Sequence, residues 1–211
     1  MRFPGLLLIS IAMACSLAPP SPAAQLNLAT LTCDKYENEI VGSQDTAQSP
    51  SDAQAKGPVR TGVNAPRPDA INTVMWLFGF SVAKAGEHVM YGDALTSFGF
   101  ALDAECKNAP ATSLLQAVSS VKPNKDKPMD LAALNCQAFE TRHAESAKSD
   151  PESATTIMMW LFGFSVGLSG NHMLDSDGVG AFAAALANRC TQSPNDSLFD
   201  VLSALSRPGK R

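Results

Sequence analysis

An all-α chain is predicted, built as two tandem copies of a small four-helix, single-disulfide domain. Three observations predict it. The stretch Trp76-Leu77-Phe78-Gly79-Phe80-Ser81-Val82 recurs letter for letter as Trp160 to Val166. Four cysteines fall at one early and one late position in each copy. Apolar residues recur at helical spacing, and Val/Ile/Thr alternation with hairpin signals is absent. A fixed offset of 84 also carries Gly86 onto Gly170, His88 onto His172, Asp93 onto Asp177 and Cys106 onto Cys190. Repeats at a fixed period mark repeated structural units.

The order of segments follows. Residues 1–24 read as a secretory signal: Arg2 starts it, Leu6 to Ala18 form the apolar run, and Ser21 to Ala24 the small-residue cleavage region. The run is shorter than the 18 or so residues that span a bilayer. A lipoprotein acylated at Cys15 is the alternative, but Ala12 stands where a lipobox carries Leu. Residues 25–121 form the first repeat, 122–128 a charged, Pro-bounded linker, and 129–211 the second repeat. Removal of the signal leaves Cys33, Cys106, Cys136 and Cys190. An even count in an exported small domain reads as disulfides. Duplication selects Cys33–Cys106 and Cys136–Cys190 among the three possible connectivities. Free thiols or a four-cysteine metal site are the alternatives; no C-x-x-C spacing supports the metal.

Each copy opens on a matched segment, Leu28 to Tyr36 and Leu131 to Phe139, here offset by 103. The first copy therefore carries a 19-residue insertion, within about 42–67, whose Ser, Ala, Gln, Gly and Pro cannot bury enough apolar surface to order. It is expected to be a mobile surface loop. The second helix of each copy, Ile71 to Val82 and Ile157 to Leu168, is apolar nearly all round and should be central. Asp69 and Ser153 are expected to cap these helices, and Gly86 and Gly170 to end them. Gly79 and Gly163 sit in their interiors, at a cost of about 1 kcal/mol each relative to Ala. That cost in both copies points to close helix–helix approach. Asp93 and Asp177 are expected to cap a third helix with stripes Leu95, Phe98, Leu102, Cys106 and Val179, Phe182, Leu186, Cys190. A fourth helix carries Leu114, Leu115, Val118, Val121 in one copy and Leu198, Phe199, Leu202, Leu205 in the other.

Catalytic constellations are absent from the sequence. No H-E-x-x-H, G-x-S-x-G or phosphate-binding glycine loop occurs, and the expectation is a protein that is not an enzyme and uses no cofactor or metal. His88 and His172 are equivalent and lie just past a helix end, where the helix dipole favours a cation. They read as surface or cap histidines; a metal pair or a pH switch is the sharper alternative. The acidic balance, net −4, argues against nucleic acid, which calls for a clustered basic face.

The openings Leu31-Thr-Cys-Asp-Lys-Tyr36 and Leu134-Asn-Cys-Gln-Ala-Phe139 carry a resemblance. A Trp on the next helix follows (Trp76, Trp160), then a late Cys with Pro four residues on (Cys106 and Pro110, Cys190 and Pro194). Each copy resembles the HdeA/HdeB family of periplasmic acid-stress chaperones. The resemblance implies small helical domains in the periplasm, or secreted, with the Cys pairs as structural disulfides. It implies binding of unfolded or partly folded periplasmic proteins on apolar surface exposed at low pH. The candidate surface is Trp76, Leu77, Phe78, Phe80, Trp160, Leu161, Phe162 and Phe164. The chain departs from the family by its tandem form, its insertion and its Trp-Leu-Phe-Gly-Phe core. A specific binding module, such as an effector-immunity protein, is the competing reading. A ligand or metal carrier is a third, and would need a pocket near Gly79 and Gly163 or at the His pair. The two copies are expected to pack as an intramolecular pseudo-dimer, with a homo-oligomer possible.

Acid should loosen the chain. The exported form carries 20 Asp and Glu against 15 Lys and Arg, Arg2 having left with the signal. Below about pH 3 the carboxylates are neutral, leaving a net charge of about +19. Self-repulsion then opposes the compact state, while the disulfides hold each copy together.

Overall fold

The computed structural model describes residues 25–41, 68–91, 94–122, 128–175 and 178–207. The signal segment, the insertion 42–67, most of the linker, and Asp93 and Asp177 with their expected capping roles lie outside the described residues.

The elements run β1 (Gln25–Asn27), α1 (Cys33–Lys35, continued by a π-helix Tyr36–Val41), α2 (Pro68–Lys84), β2 (Val89–Tyr91), α3 (Ala94–Asn108) and α4 (Leu114–Ser120) in the first half. The second half runs β3 (Pro128–Asp130), α5 (Cys136–Ser149), α6 (Pro151–Ser169), β4 (Met173–Asp175), α7 (Gly178–Gln192) and α8 (Leu198–Ser206). The protein is mostly helical, as its apolar spacing predicts.

Local chemistry explains most helix starts. Thr32, Ser113, Asn135 and Ser197 each stand in extended backbone, and each side-chain oxygen accepts an N–H of the first turn. Two expected caps are corrected. Asp150 caps α6 by accepting from the Ser153 N–H at 3.1 Å, so Ser153 lies inside the helix. Pro151 follows directly, its missing N–H harmless at the first position. In the first half α2 already begins at Pro68, which places Asp69 within it. Gly86 and Gly170 both adopt φ of +73°, and Gly170 closes α6 in the left-handed conformation expected at a helix end.

Disulfides join Cys33 to Cys106 and Cys136 to Cys190, tying α1 to α3 and α5 to α7. The turn before each first helix is pinned by the last helix of its half. Leu114 and Leu115 N–H groups donate to the carbonyls of Leu31 and Leu28, and Leu198 and Phe199 donate likewise to Leu134 and Leu131. These bonds satisfy donors that a helix start would otherwise leave free.

The centre of the molecule is the crossing of α2 and α6. Trp76, Leu77, Phe80, Trp160, Leu161 and Phe164 there have no exposed surface. Burying such side chains contributes about 2 to 3 kcal/mol each. The four short strands have no counterpart in the sequence reading. They pair across the halves, β1 with β4 and β2 with β3, both antiparallel. Three residues are too few to show a period of two, and their partners lie tens of residues away, so no hairpin signal exists.

Candidate functional site

The candidate apolar residues lie on α2 and α6, which cross at Trp76, Phe80, Trp160 and Phe164 and carry Phe78 and Phe162 towards the third helices. Their geometry starts from glycine. A Cβ on Gly79 would overlap the carbonyl oxygen of Trp160, and a Cβ on Gly163 would overlap the carbonyl oxygen of Trp76. One turn on, a Cβ on Gly167 would sit 2.8 Å from both the Ala83 Cβ and the Phe80 carbonyl oxygen. Gly79 and Ala83 on α2, with Gly163 and Gly167 on α6, therefore let two backbones touch. The contact is reciprocal: what Gly79 does to Trp160, Gly163 does to Trp76. The two backbones leave no room for a side chain between these glycines.

The aromatic rings close around this crossing. Trp76 stacks on Phe80 at 5.5 Å and Trp160 on Phe164 at 5.3 Å, each one helical turn apart. Phe78 meets Trp160 edge-on at 6.3 Å across the halves. Phe78 and Phe162 reach outward to Phe98 and Phe182 of the third helices. The indole N–H groups of Trp76 and Trp160 are both enclosed without a hydrogen-bond partner. Each orphan costs about 1 to 3 kcal/mol, against the larger gain from burying the rings. The eight candidate residues are thus buried in this folded form, Phe162 being the most open at 9%.

His88 and His172 stand at the rim of the crossing. Their carbonyls accept the N–H of Leu131 and Leu28 from the opposite half, both at 2.9 Å. The His88 Nε2 lies 3.6 Å from the Asp130 Oδ1, and its ring 5.5 Å from that of Phe199. The His172 ring lies 6.1 Å from Phe80, and its Nδ1 is enclosed without a partner. Among the described residues no group of three or more His, Cys, Asp or Glu side chains could hold a metal ion.

The titratable groups with shifted behaviour lie elsewhere. Burial, then the nearby Asp103 carboxylate, pushes Glu37 above the usual carboxylate range, with Lys107 pulling the other way. The Lys107 ammonium is raised by its 2.8 Å bond to Asp103. Burial and a 2.8 Å hydrogen bond to Glu87 push Tyr91 up to about 12. Sequence reasoning missed this group, because only the fold brings Glu37 of the first helix beside Asp103 of α3.

Residues 113–200 match the HdeA/HdeB family. An HdeA-like domain occupies that stretch. The match runs from the N-cap of α4 through α5, α6 and α7 into the first turn of α8, fewer than half of the chain's 211 residues. The HdeA-like stretch includes the Cys136–Cys190 disulfide and the whole of α6. No curated protein and no solved structure matches the chain. No described helix is long and apolar enough to cross a membrane.

Proposed function

We propose that the protein is an exported, acid-stress chaperone-like protein that holds unfolded clients on the apolar faces of α2 and α6. In this reading the first half is a second HdeA-like copy, and the two halves form an intramolecular pseudo-dimer. The observation that carries it is the α2–α6 crossing. Two long apolar helices face each other there, and one of them, α6, lies inside the stretch that matches the HdeA/HdeB family. Folded, the chain offers clients none of this surface. At low pH the gain of positive charge works against the compact state, and separation of the halves would uncover two Trp-Leu-Phe-Gly-Phe faces. Disulfides keep each half from unravelling, so the open form retains helix. The linker holds the separated halves at an effective concentration on the order of millimolar, which favours reclosure when pH recovers.

Light scattering of an aggregating model client from pH 2 to 7, with and without the disulfide-intact protein, tests this. The expected result is suppression of scattering at pH 2 to 3 and none at pH 7. Absence of suppression in acid, together with tight binding of one partner at neutral pH, would instead establish a specific binding module.

A further inference from the structure

The two helices of the central crossing are the same from Met75 to Val82 and from Met159 to Val166. They part at the next residue, Ala83 on α2 and Gly167 on α6. These two positions face each other. A Cβ on Gly167 would lie 2.8 Å from the Ala83 Cβ and 2.8 Å from the Phe80 carbonyl oxygen. The site therefore has room for one methyl group, and Ala83 holds it. One turn earlier, Gly79 and Gly163 leave room for none on either helix.

The strand pairs around the crossing do not tell the halves apart. The Leu28 N–H donates to the His172 carbonyl and the Leu131 N–H to the His88 carbonyl, both at 2.9 Å. The 103 offset carries Leu28 onto Leu131, and the 84 offset carries His88 onto His172. The strand register is also shared: Asn27 stands opposite Met173, and its equivalent Asp130 opposite Val89. These joints are made by backbone groups, so either opening segment suits either strand.

A second copy of the chain would therefore be sorted at the crossing. Two α6 helices would set Gly167 against Gly167, with no methyl at the site. Two α2 helices would set Ala83 against Ala83, with two methyls where one fits. A pair of like helices is symmetric, so the overlap would occur twice. Each Ala83 Cβ would take the place of the Gly167 Cβ, 2.8 Å from the Phe80 carbonyl oxygen opposite. Neither a Cβ nor a helix carbonyl can rotate away, so the two helices would have to part.

We propose that Ala83 sets partner choice at this surface: α2 accepts α6 and refuses α2 of a second copy, whereas α6 accepts either. The partner that fits, besides the chain's own first half, is a second copy joined through α6. Specificity of this kind comes from a clash built against the wrong partner. The unlike pairing is the one that lets a single chain close on itself, so one methyl group favours a self-contained chain over linked copies.

The test uses the whole protein, cut once while folded by a protease whose site is placed within residues 123–127. Each disulfide lies inside one half, so cutting leaves two disulfide-closed pieces in equal amounts. Urea at pH 7 separates them, dilution lets them choose partners, and native mass spectrometry counts the three pairings. Indifferent pieces would give as many like pairs as unlike ones. Unlike pairs should instead exceed like pairs about tenfold, the size expected of two overpacked contacts in each α2–α2 pair. The few like pairs should be those of the second half. Ala83→Gly should bring the count close to even. Ala83→Gly combined with Gly167→Ala should restore the excess and make the first half the one that pairs with itself. Near-even counts in the unaltered protein, or an excess that Ala83→Gly leaves unmoved, overturn the proposal. No acid and no client enter this experiment, so its failure and that of the chaperone reading are distinguishable.

Discussion

The two halves of the molecule agree over most of the α2–α6 crossing and differ more where they face water. Gly79 and Gly163, Trp76 and Trp160, and Phe80 and Phe164 keep the same residue types and make reciprocal contacts across the crossing. Away from it the halves diverge. The first helix is a single α turn followed by a π-helix in the first half, and 14 residues in the second. Glu37, Asp103 and Lys107 form a charged cluster in the first half; at the places of Asp103 and Lys107 the second half has Ala187 and Thr191. Contact with a near-copy of itself holds a surface to narrow steric limits. Contact with solvent does not, because a solvated side chain can move aside.

The largest effect should come from the disulfides, where the halves are expected to be equal. The bridges close loops of 73 and 54 residues. Loop entropy grows only logarithmically with length, so removing either pair by Cys→Ala should cost about 4 kcal/mol. Guanidinium unfolding of the two double variants checks this. A difference above about 1 kcal/mol would show that one half leans on its staple more than the other.

Next come the glycines, which separate a contact from a conformation. Gly79→Ala and Gly163→Ala should each destabilise by about 3 kcal/mol, because the added methyl meets backbone that cannot move aside without parting the helices. Gly86→Ala and Gly170→Ala meet open space, and their cost should be only the strain of a positive φ, about 1 kcal/mol. Thermal unfolding of all four ranks them. A Gly79 cost no greater than the Gly86 cost would mean that the crossing is looser than its geometry.

The smallest effect belongs to the charged cluster that only the first half has. Glu37 has a raised folded-state pKa, and one of its oxygens is enclosed without a partner. The folded chain therefore binds the Glu37 proton more tightly than the unfolded chain. The resulting penalty is present at neutral pH and vanishes as pH falls below the unfolded value near 4.3. Glu37→Gln should raise stability at pH 7 by a few tenths of a kcal/mol after solvent screening, and by nothing at pH 3. Paired melting curves at the two pH values measure it. Protonation of Glu37 thus favours the folded chain as pH falls.

Much of this architecture was legible in one chain. The exact recurrence of Trp76 to Val82 marked the two helices that cross at the centre, and the helical spacing of Phe98, Leu102 and Cys106 disclosed the buried stripe of α3. Glycines in two otherwise apolar helices disclosed a close approach, since an unneeded mid-helix glycine is costly. These signals are local: each is a period, a spacing or a backbone cost that a residue carries wherever the chain goes. The sequence misplaced the caps at Asp69 and Ser153, because several polar residues near a helix start can each serve and packing of the first turn chooses among them.

The remainder was decided only in three dimensions. That Gly79 seats the carbonyl of Trp160, that three-residue strands pair between segments far apart, and that His88 meets the Asp130 carboxylate while His172 meets Phe80 are facts of the relation between halves. A one-dimensional pattern shows which face of a helix is apolar. Which partner covers that face depends on the free energy of bringing distant segments together, and no window along the chain contains that quantity.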